Sequence, residues 1–521
     1  MAHDDALPAR GAALLLALTA ALLLLRLGQV PLLGPDEPRY ARVAVEMQRA
    51  GEWVRPTLQG QPWLEKPPLY YWLAGAAFRL LGENEAAARL PSVVAAVWLV
   101  GVTALVGARL FGGAAGLHAG FVLGLSLLTF AYGRAATMDM LLAAATTSAI
   151  GLVGLRLLGV AGRLAVPVAG ACAGLATLAK GPLGLLLPAL VTGGYLLVAR
   201  RRRLLRDCLS PAAALLFLAV AGPWYLAIWR DQGMRFVDVF LLNHNLERFT
   251  STIHHHPGPP WYYVAVLLAG LFPWTGLALP ALAGARHDRS PAETWVLLWL
   301  LLPFLFFSAA GSKLPGYILP CLPPVAILVG RECARLVEAD AAGVGARAAA
   351  VVGLALGALL FAAPLRELAA GQGDFVLAVP AGVWALVVMF FFSRRVGRDA
   401  AGALRLLRIG AAGFLLLLTS AAPPLLARRE SGRDLFIPAR GREVLALGAW
   451  RTAWMAGYFY NDGRVREVEG PAQVAEAAAR GPVLVLCGPA ERRQLESAPG
   501  LASRTLAEGP RANALLSVRA R

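Results

Sequence analysis

Long apolar segments recur along most of this chain, and they limit its fold more than any other feature. Thirteen segments of about 16–25 residues are each long enough to cross about 30 Å of hydrocarbon. They lie near residues 11–33, 86–108, 114–134, 139–159, 164–180, 182–199, 208–229, 261–283, 292–310, 314–330, 347–364, 375–393 and 403–427. Charged residues are only 16% of the 521, whereas soluble globular chains carry about 25%. The sequence therefore predicts a mostly α-helical, polytopic membrane protein.

The net charge of +17 comes mainly from arginines in alternate gaps between these segments. The arginine-rich gaps hold Arg109; Arg156 and Arg163; Arg200, Arg201, Arg202, Arg203 and Arg206; Arg286 and Arg289; Arg331, Arg335 and Arg347; and Arg394, Arg395, Arg398 and Arg405. With a cytoplasmic N-terminus these are the even-numbered gaps, where the positive-inside rule places basic residues. The basic charge thus indicates topology and contact with anionic lipid, and not binding of nucleic acid.

Both ends of the chain carry further expectations. The N-terminal apolar run is longer than the core of about 7–15 residues in a signal peptide, and it lacks a clear cleavage site, so we expect a retained signal anchor. An odd number of spans places the C-terminal tail outside. The five cysteines have no C-x-x-C spacing, which predicts neither a disulfide framework nor a thiolate metal site.

The composition changes near residue 428, where long apolar runs stop and short ones alternate with charge. The stretches EVLALG, VREVE and VLVLCG predict strands, and AQVAEAAARG and AERRQLES predict helices. We therefore expect a membrane domain over residues 1–427 and a small external α/β domain over residues 428–521. The small domain contains no catalytic motif, so a lid or scaffold is its expected role.

The first external gap, residues 34–68, is densely charged and reads GPDEPRYARVAVEMQRAGEWVRPTLQGQPWLEKPP. Charges beside a membrane are costly unless the protein uses them. Pro38 suits the first turn of a helix, with Asp36 and Glu37 at the positive end of its dipole. Apolar residues at i, i+3, i+4 and i+7 predict a helix that lies in the membrane interface. These residues are Tyr40, Val43, Ala44 and Met47, opposite Arg39, Arg42, Glu46 and Arg49.

A second interfacial helix is expected after Pro67 and Pro68. Tyr70, Tyr71 and Trp72 at its start are aromatic residues typical of the headgroup level. Two such helices would hold the first loop on the membrane surface.

The predicted external side gathers the groups that can carry chemistry, namely Asp36, Lys66, Asp139, Arg248 and Lys313. Cations at this level suit the phosphate of a lipid, because Lys acts as a point charge and Arg binds in a bidentate manner. A neighbouring carboxylate can act as a general base or stabilise positive charge on a sugar carbon.

Each of these residues also has a purely structural interpretation. Asp36 can be a helix N-cap. Asp139 can be a cap or the partner of Arg134 in a salt bridge. Lys180, in LAKGPLG, reads as an interfacial anchor at a helix break. Capping alone does not explain Glu37 or the Glu65 and Lys66 pair, which favours function for the first loop.

A metal site is a weaker hypothesis. His254, His255 and His256 could hold a divalent cation with Glu65 if their loop folds inward. Three consecutive histidines do not share one face of a helix or strand, so an exposed loop is favoured. No D-x-D motif stands in an external gap, which argues against a metal-chelated nucleotide-sugar donor. We therefore predict no required metal or cofactor.

Several motifs together resemble one family over nearly the whole chain. GPDEPRYARVAVEMQRAGEW, WLEKPPLYYW, GENEAAARLPS, NHNLERFTSTIHHHPGPPWYY and SKLPGYILP are similar to the ArnT-like branch of polyprenyl-phosphate-sugar glycosyltransferases. This branch is related to the protein O-mannosyltransferases in the GT-C superfamily. The resemblance implies thirteen spans, interfacial helices and an external C-terminal domain. Pro38 and the histidine-rich loop depart from the family pattern, and both bear on substrate identity.

The resemblance also implies an activity and a site. The donor would be an undecaprenyl-phosphate sugar, classically aminoarabinose, and the acceptor lipid A or another envelope molecule at the periplasmic face of a bacterial inner membrane. Asp36 and Asp139 would be the catalytic acidic residues. The donor-phosphate and headgroup site would be lined by Arg39, Tyr40, Glu65, Lys66, Arg248, Lys313 and Tyr317.

Three alternatives stay open at the level of sequence. A protein O-glycosyltransferase would use the same class of donor. A transporter of lipid-linked substrate would bind with the same charges, although no internal repeat is visible and the charges gather on one side. A non-catalytic scaffold would leave the first-loop charges unexplained.

Overall fold

The computed structural model describes residues 6–200, 205–208, 210–240, 258–339, 344–439 and 441–521. The chain divides into two compact units, which are described separately. The first, the membrane unit, comprises Met1–Leu25, Leu64–Tyr70 and Pro91–Thr419. The second, the loop–sheet unit, comprises Arg26–Trp63, Tyr71–Leu90 and Ser420–Arg521.

Helices make up most of the chain. The longer ones are Ala9–Leu24, Asp36–Ala50, Leu69–Leu81, Glu85–Phe111, Gly113–Gly124, Leu127–Gly133, Asp139–Leu157, Ala165–Lys180, Leu183–Val198, Pro211–Gln232, Tyr262–Gly270, Thr275–Asp288, Pro291–Ala309, Leu322–Glu338, Val344–Ala369, Val379–Arg395 and Ala400–Glu430. Short helical pieces are Leu205–Cys208, Met234–Phe236, Pro315–Cys321, Gly373–Ala378 and Arg433–Phe436.

Each predicted apolar segment contains a helix. Within the described residues, eight helices are long and apolar enough to cross a membrane, or up to ten if each of two bent pairs is one span. The bent pairs are Gly113–Gly124 with Leu127–Gly133, and Tyr262–Gly270 with Thr275–Asp288. The other three apolar segments form helices of 16 residues each, Ala9–Leu24, Ala165–Lys180 and Leu183–Val198. A polytopic helical protein is confirmed, and the count of thirteen spans stays a prediction.

The first apolar segment is shorter as a helix than its sequence suggests. The prediction of one run over residues 11–33 was wrong at its C-terminal end, because the helix stops at Leu24. Arg26 adopts a left-handed conformation with φ of 55°, which interrupts the helical path. Hydropathy alone does not report this interruption, because the chain is apolar before it, over residues 12–25, and again after it, over residues 30–33.

Small residues let helices of the membrane unit approach closely. A Cβ at Gly116 would overlap the backbone of Ala104 and Ala108, and a Cβ at Gly330 would overlap the backbone of Ala115. Backbone contact across glycine is the usual way to pack helices in lipid, where apolar burial alone provides little driving force. The helix Asp139–Leu157 packs in turn on Ala165–Lys180.

The loop–sheet unit begins with the first loop. Its helix, Asp36–Ala50, starts two residues before Pro38, so Asp36 and Glu37 stand inside its first turn. Gly51 ends it in a left-handed conformation, a common helix C-terminus. A short antiparallel hairpin follows, formed by strands β1 (Thr57–Leu58) and β2 (Gln61–Pro62).

The apolar face of this helix is covered by protein. Tyr40, Val43, Ala44 and Met47 are all at most 7% exposed, and the Tyr40 ring lies 6.4 Å from that of Tyr71. Protein therefore covers the stripe, because helical spacing predicts burial without saying what covers it. The location of this helix in the membrane interface stays a prediction. Tyr70 and Tyr71 are likewise fully buried, and their place at the headgroup level stays a prediction.

The C-terminal part is a five-stranded mixed sheet with helices. Its strands are β3 (Val444–Leu447), β4 (Val465–Val468), β5 (Val483–Cys487), β6 (Leu501–Glu508) and β7 (Ala514–Ala520), in the order β4-β3-β5-β7-β6. β3 pairs in parallel with β4 and β5, and β7 pairs antiparallel with β5 and β6. The helices are Arg451–Met455, Gly457–Tyr460, Pro471–Ala479 and Pro489–Ser497.

The three strands and two helices predicted after residue 428 are therefore present. β6 and β7 were not predicted. The boundary at residue 428 falls within the last long helix, Ala400–Glu430, and residues 26–63 and 71–90 belong to the same compact unit as the sheet.

Candidate functional site

Asp139 and Lys180 form an ion pair in the membrane unit. Asp139 is the first residue of the helix Asp139–Leu157, and Lys180 is the last residue of Ala165–Lys180. The Lys180 ammonium donates to Asp139 Oδ1. Both positions suit their charge, because helix dipoles favour anions at N-termini and cations at C-termini. The Asp139 side chain is 16% exposed and the Lys180 side chain is 13% exposed, so solvent reaches only a small part of the pair.

The Pro315–Cys321 segment closes over this pair. The Lys180 Nζ lies 4.5 Å from the centroid of the Tyr317 ring, which is cation–π geometry. A Cβ at Gly316 would lie 2.6 Å from Cε1 of Tyr132 and 3.0 Å from Cγ of Asp139. Glycine is therefore required at 316, because the segment passes directly against Tyr132 and Asp139.

Lys66 and Lys313, the two lysines predicted for the site, lie in the same unit as this ion pair. Lys313 stands just before that segment, and its Nζ donates to the Ala310 carbonyl at 2.7 Å. The Lys66 side chain is buried, and its Nζ donates to the Glu65 carbonyl at 3.2 Å.

Asp36 is the more exposed predicted carboxylate, in the loop–sheet unit. It forms an ion pair with Arg39, one helical turn along, and its side chain is 41% exposed while that of Arg39 is 11%. The Arg39 Nε also donates to the Pro35 carbonyl at 3.0 Å, and its guanidinium lies 5.3 Å from the Trp63 ring and 5.9 Å from that of Tyr40. A cation fixed on several sides therefore orients the carboxylate, which still reaches solvent.

Glu37, the neighbouring carboxylate, has a different role. Its two oxygens accept from Arg89 Nε at 3.1 Å and Nη2 at 2.7 Å, and both side chains are almost fully buried. Arg89 also donates to the carbonyls of Leu27, Val30 and Pro31. Glu37, which the sequence analysis counted with the functional charges, is thus part of a structural pair.

Some predicted residues cannot be placed. Arg248 and His254, His255 and His256 lie outside the described residues. Among the residues that are described, no group of three or more His, Cys, Asp or Glu could hold a metal ion. The hypothesis of a divalent cation at Glu65 and the histidines is therefore untested.

The structure thus brings Asp139 and Tyr317 together around Lys180, and it brings Asp36 and Tyr40 together around Arg39. Lys180 was interpreted from the sequence as an interfacial anchor, and that interpretation missed its pairing with Asp139. A local signal existed, since a lone lysine before Gly-Pro ends a helix. Its partner lies 41 residues earlier and cannot be read from spacing. Arg134, which was considered as a salt-bridge partner of Asp139, donates to the carbonyls of Leu22, Leu23 and Leu25 at 2.7–3.1 Å.

Ion-paired carboxylates with lysines and a tyrosine ring nearby suit one kind of chemistry. They suit a reaction in which a group is transferred from a phosphate. A lysine paired with a carboxylate can turn to a phosphate oxygen as it enters, and the carboxylate is then available to another cation, proton or developing positive charge.

Comparison with solved structures defines the class of this fold. ArnT from Cupriavidus metallidurans, solved with bound undecaprenyl phosphate, matches over 98% of both chains with a TM-score of 0.80 and 22% identity. The Archaeoglobus fulgidus oligosaccharyltransferase matches 89% of this chain and 65% of its own with a TM-score of 0.52 and 14% identity. The chain therefore has an ArnT-like fold over nearly its whole length.

Sequence comparison defines the family. Residues 65–229 match the family model described as dolichyl-phosphate-mannose-protein mannosyltransferase. An undecaprenyl phosphate-alpha-4-amino-4-deoxy-L-arabinose arabinosyl transferase of Edwardsiella ictaluri is 31% identical over 412 residues, which are 75% of this chain and 72% of that protein. The enzyme of the same name from Pseudomonas paraeruginosa is 34% identical over 64% of this chain, and the match spans 61% of that relative's length. The chain belongs to the family of these arabinosyl transferases.

Proposed function

We propose that this protein moves 4-amino-4-deoxy-L-arabinose from undecaprenyl phosphate to lipid A, or to another envelope acceptor, with inversion at the anomeric carbon. The observation that carries the proposal is the 31% identity over 412 residues to a relative named for this donor. The ion-paired carboxylates, Asp36 with Arg39 and Asp139 with Lys180, supply the chemistry that such a transfer needs.

The reaction breaks the bond between the anomeric carbon and the phosphate oxygen and forms a bond to an acceptor oxygen. Undecaprenyl phosphate leaves with the electron pair, and cations stabilise the charge that develops on it. We assign this role to Lys66, Arg248 and Lys313, with Tyr317 and Glu65 beside them.

The role of Asp36 depends on the acceptor. A lipid A phosphate is already ionised near neutral pH and gives up no proton, so Asp36 would orient the acceptor or stabilise the oxocarbenium-like carbon. A hydroxyl acceptor would pass its proton to Asp36. Arg39 holds the carboxylate in place for either role, and no metal or cofactor enters the reaction.

The proposed topology places the N-terminus in the cytoplasm and the site and the C-terminal sheet in the periplasm, with thirteen spans in a bacterial inner membrane. The arginine-rich alternate gaps support it. In this arrangement Asp36, Asp139 and Lys313 stand on the side where lipid-linked sugars reach envelope acceptors.

A second candidate, transfer of a sugar to protein hydroxyls, is favoured by the match of residues 65–229 to the protein mannosyltransferase model. Mass spectrometry of lipid A and of envelope proteins, with and without the gene, separates the two. Loss of aminoarabinose from lipid A on deletion, restored by the wild-type gene and not by Asp36→Asn, is expected. Unchanged lipid A with loss of protein-linked sugar would favour the second candidate, and unchanged envelope glycans would contradict both.

A further inference from the structure

A hydrogen-bonded turn of the C-terminal sheet region, residues 460–463, contacts the first loop. The side-chain amide of Asn461, 2% exposed, donates to the carbonyls of Arg442 at 2.9 Å and Arg464 at 2.8 Å. Asp462 and Gly463 both have positive φ, 55° and 76°. Asp tolerates the left-handed region better than most residues, and two such residues in succession make the tip that presents the Asp462 carboxylate.

The Asp462 carboxylate binds two arginines of the first-loop helix, Asp36–Ala50. Its Oδ1 accepts from Arg49 Nη1 at 2.8 Å and from Arg42 Nη1. Arg42 also binds Glu46 at 2.7 Å, and Arg49 binds Glu83 at 2.8 and 2.5 Å. Each arginine thus has a second anionic partner, so removing Asp462 alone leaves neither cation without one.

The hairpin of the first loop is held on both sides. Gln59 Nε2 donates to the carbonyls of Gly463 at 2.6 Å and Val465 at 2.7 Å. The Glu46 carboxylate accepts from Thr57 Oγ1 at 2.9 Å and from the backbone N–H of Gln59 at 2.8 Å. The hairpin therefore bridges the helix and the backbone that follows the turn.

Tyr460 fixes the chain directly before Asp36. Its hydroxyl accepts from the Leu32 amide at 2.7 Å and donates to Glu85 at 3.1 Å. The next amide, that of Leu33, donates to Glu37 at 2.6 Å. Burial, together with the charge of Glu85, raises the pKa of Tyr460 well above its usual range, so the hydroxyl keeps its proton.

The same short helix, Gly457–Tyr460, reaches Arg39 electrostatically. Burial raises the pKa of Tyr458, and the positive charge of Arg39 acts in the opposite direction. Arg39 is the partner of Asp36, so the sheet region approaches the very pair proposed for catalysis.

We propose that Tyr460 and Asp462 are positioning residues for the reaction, and that the C-terminal sheet region is a template that fixes the place of Asp36 and Arg39. This inference rests on the proposed function and deepens it. Tyr460 holds the chain four residues before Asp36, and Asp462 holds the middle and end of the helix that Asp36 begins. Displacing a catalytic group by about 1 Å can lower the rate about 10²-fold.

The test combines Tyr460→Phe and Asp462→Asn with two measurements on the full-length protein. The control is Glu476→Gln, which removes the same charge from an exposed pair with Arg480 in the same sheet region. We expect kcat with an undecaprenyl-phosphate aminoarabinose donor and lipid A acceptor to fall about 10- to 10²-fold, with donor KM within about twofold. Asp462→Asn should also speed amide exchange in residues 32–34, which Asp462 does not touch through any hydrogen bond described above.

Normal kcat in both variants would overturn the inference, as would faster exchange without any loss of kcat or an equal rise in KM. Absence of transfer by the wild-type protein would instead count against the proposed function. In that case the exchange measurement decides whether the turn holds the first loop: unchanged exchange in residues 32–34 overturns that too.

Discussion

Two adjacent carboxylates at the start of one helix show how burial separates structure from chemistry. Glu37 is 5% exposed and shares both oxygens with a buried arginine, whereas the Asp36 side chain is 41% exposed. A buried ion pair with all its hydrogen bonds satisfied holds a conformation, and breaking it is costly. An oriented carboxylate that reaches solvent is available to a substrate. Both side chains end in a carboxylate, and their different environments give them different roles.

Arg89→Met should destabilise the protein strongly. It leaves the Glu37 carboxylate buried without its cation and frees the carbonyls of residues 27–31, a loss of about 3–5 kcal/mol. The measurement is the unfolding temperature in detergent. Arg480→Met, at an exposed pair, is the matched control and should change stability by less than about 0.5 kcal/mol. Equal unfolding temperatures for the two variants would contradict the structural role of Arg89.

Lys180→Met should impair transfer more than it impairs folding. The variant removes the cation that orients Asp139 and packs on the Tyr317 ring, and misplacing a catalytic carboxylate lowers kcat/KM about 10²-fold. Lys180→Arg keeps the charge and should retain a larger share of the activity. The readout is kcat/KM with matched unfolding temperatures. Wild-type activity in Lys180→Met would return Lys180 to the role of an interfacial anchor.

At the scale of elements, local patterns predicted more than long-range contacts. The i, i+3, i+4 stripe predicted the helix Asp36–Ala50, and apolar runs predicted β3, β4 and β5. The stripe did not predict that protein covers the apolar face. Nor did it predict that the charged face binds Asp462, about 420 residues away. β6 and β7 were not predicted, because RTLAE and SVRA mix charged residues with short apolar runs. These two strands are stabilised by pairing with each other, which a local pattern does not report.

The contact between these elements should depend on pH. Burial raises the pKa of Asp462, but hydrogen bonds and charges of Arg42 and Arg49 outweigh it and lower the pKa below the ordinary 3.8. Because the pKa of Asp462 is lowered in the folded state, its ionised carboxylate stabilises the contact fully above the ordinary pKa. This stabilisation is lost as the pH falls through the pKa of the folded state.

Amide exchange of residues 57–62, corrected for the intrinsic rate, should therefore be level from about pH 7 to 5 and rise below about pH 4. Asp462→Asn should lack this acid step, because its side chain does not titrate. An identical step in wild type and variant would assign the transition to other groups.

At the scale of the whole molecule, hydropathy predicted the membrane architecture and charge its orientation. Every predicted apolar segment contains a helix, while three of these helices have 16 residues and two segments are bent, features that an average over a window conceals. The motifs indicated Asp36, Arg39, Asp139 and Tyr317 as site residues. The pairing of Lys180 with Asp139 needed the fold, because the two residues lie 41 positions apart in the chain.

The central claim is that this protein transfers aminoarabinose with Asp36 as an essential carboxylate. The most direct test supplies purified protein in lipid vesicles with undecaprenyl-phosphate 4-amino-4-deoxy-L-arabinose and lipid A, and follows lipid A by mass spectrometry. We predict aminoarabinose-bearing lipid A from the wild type, and a rate at least about 10²-fold lower from Asp36→Asn at an unchanged unfolding temperature. No modified lipid A from the folded wild-type protein, or undiminished transfer by Asp36→Asn, would contradict the claim.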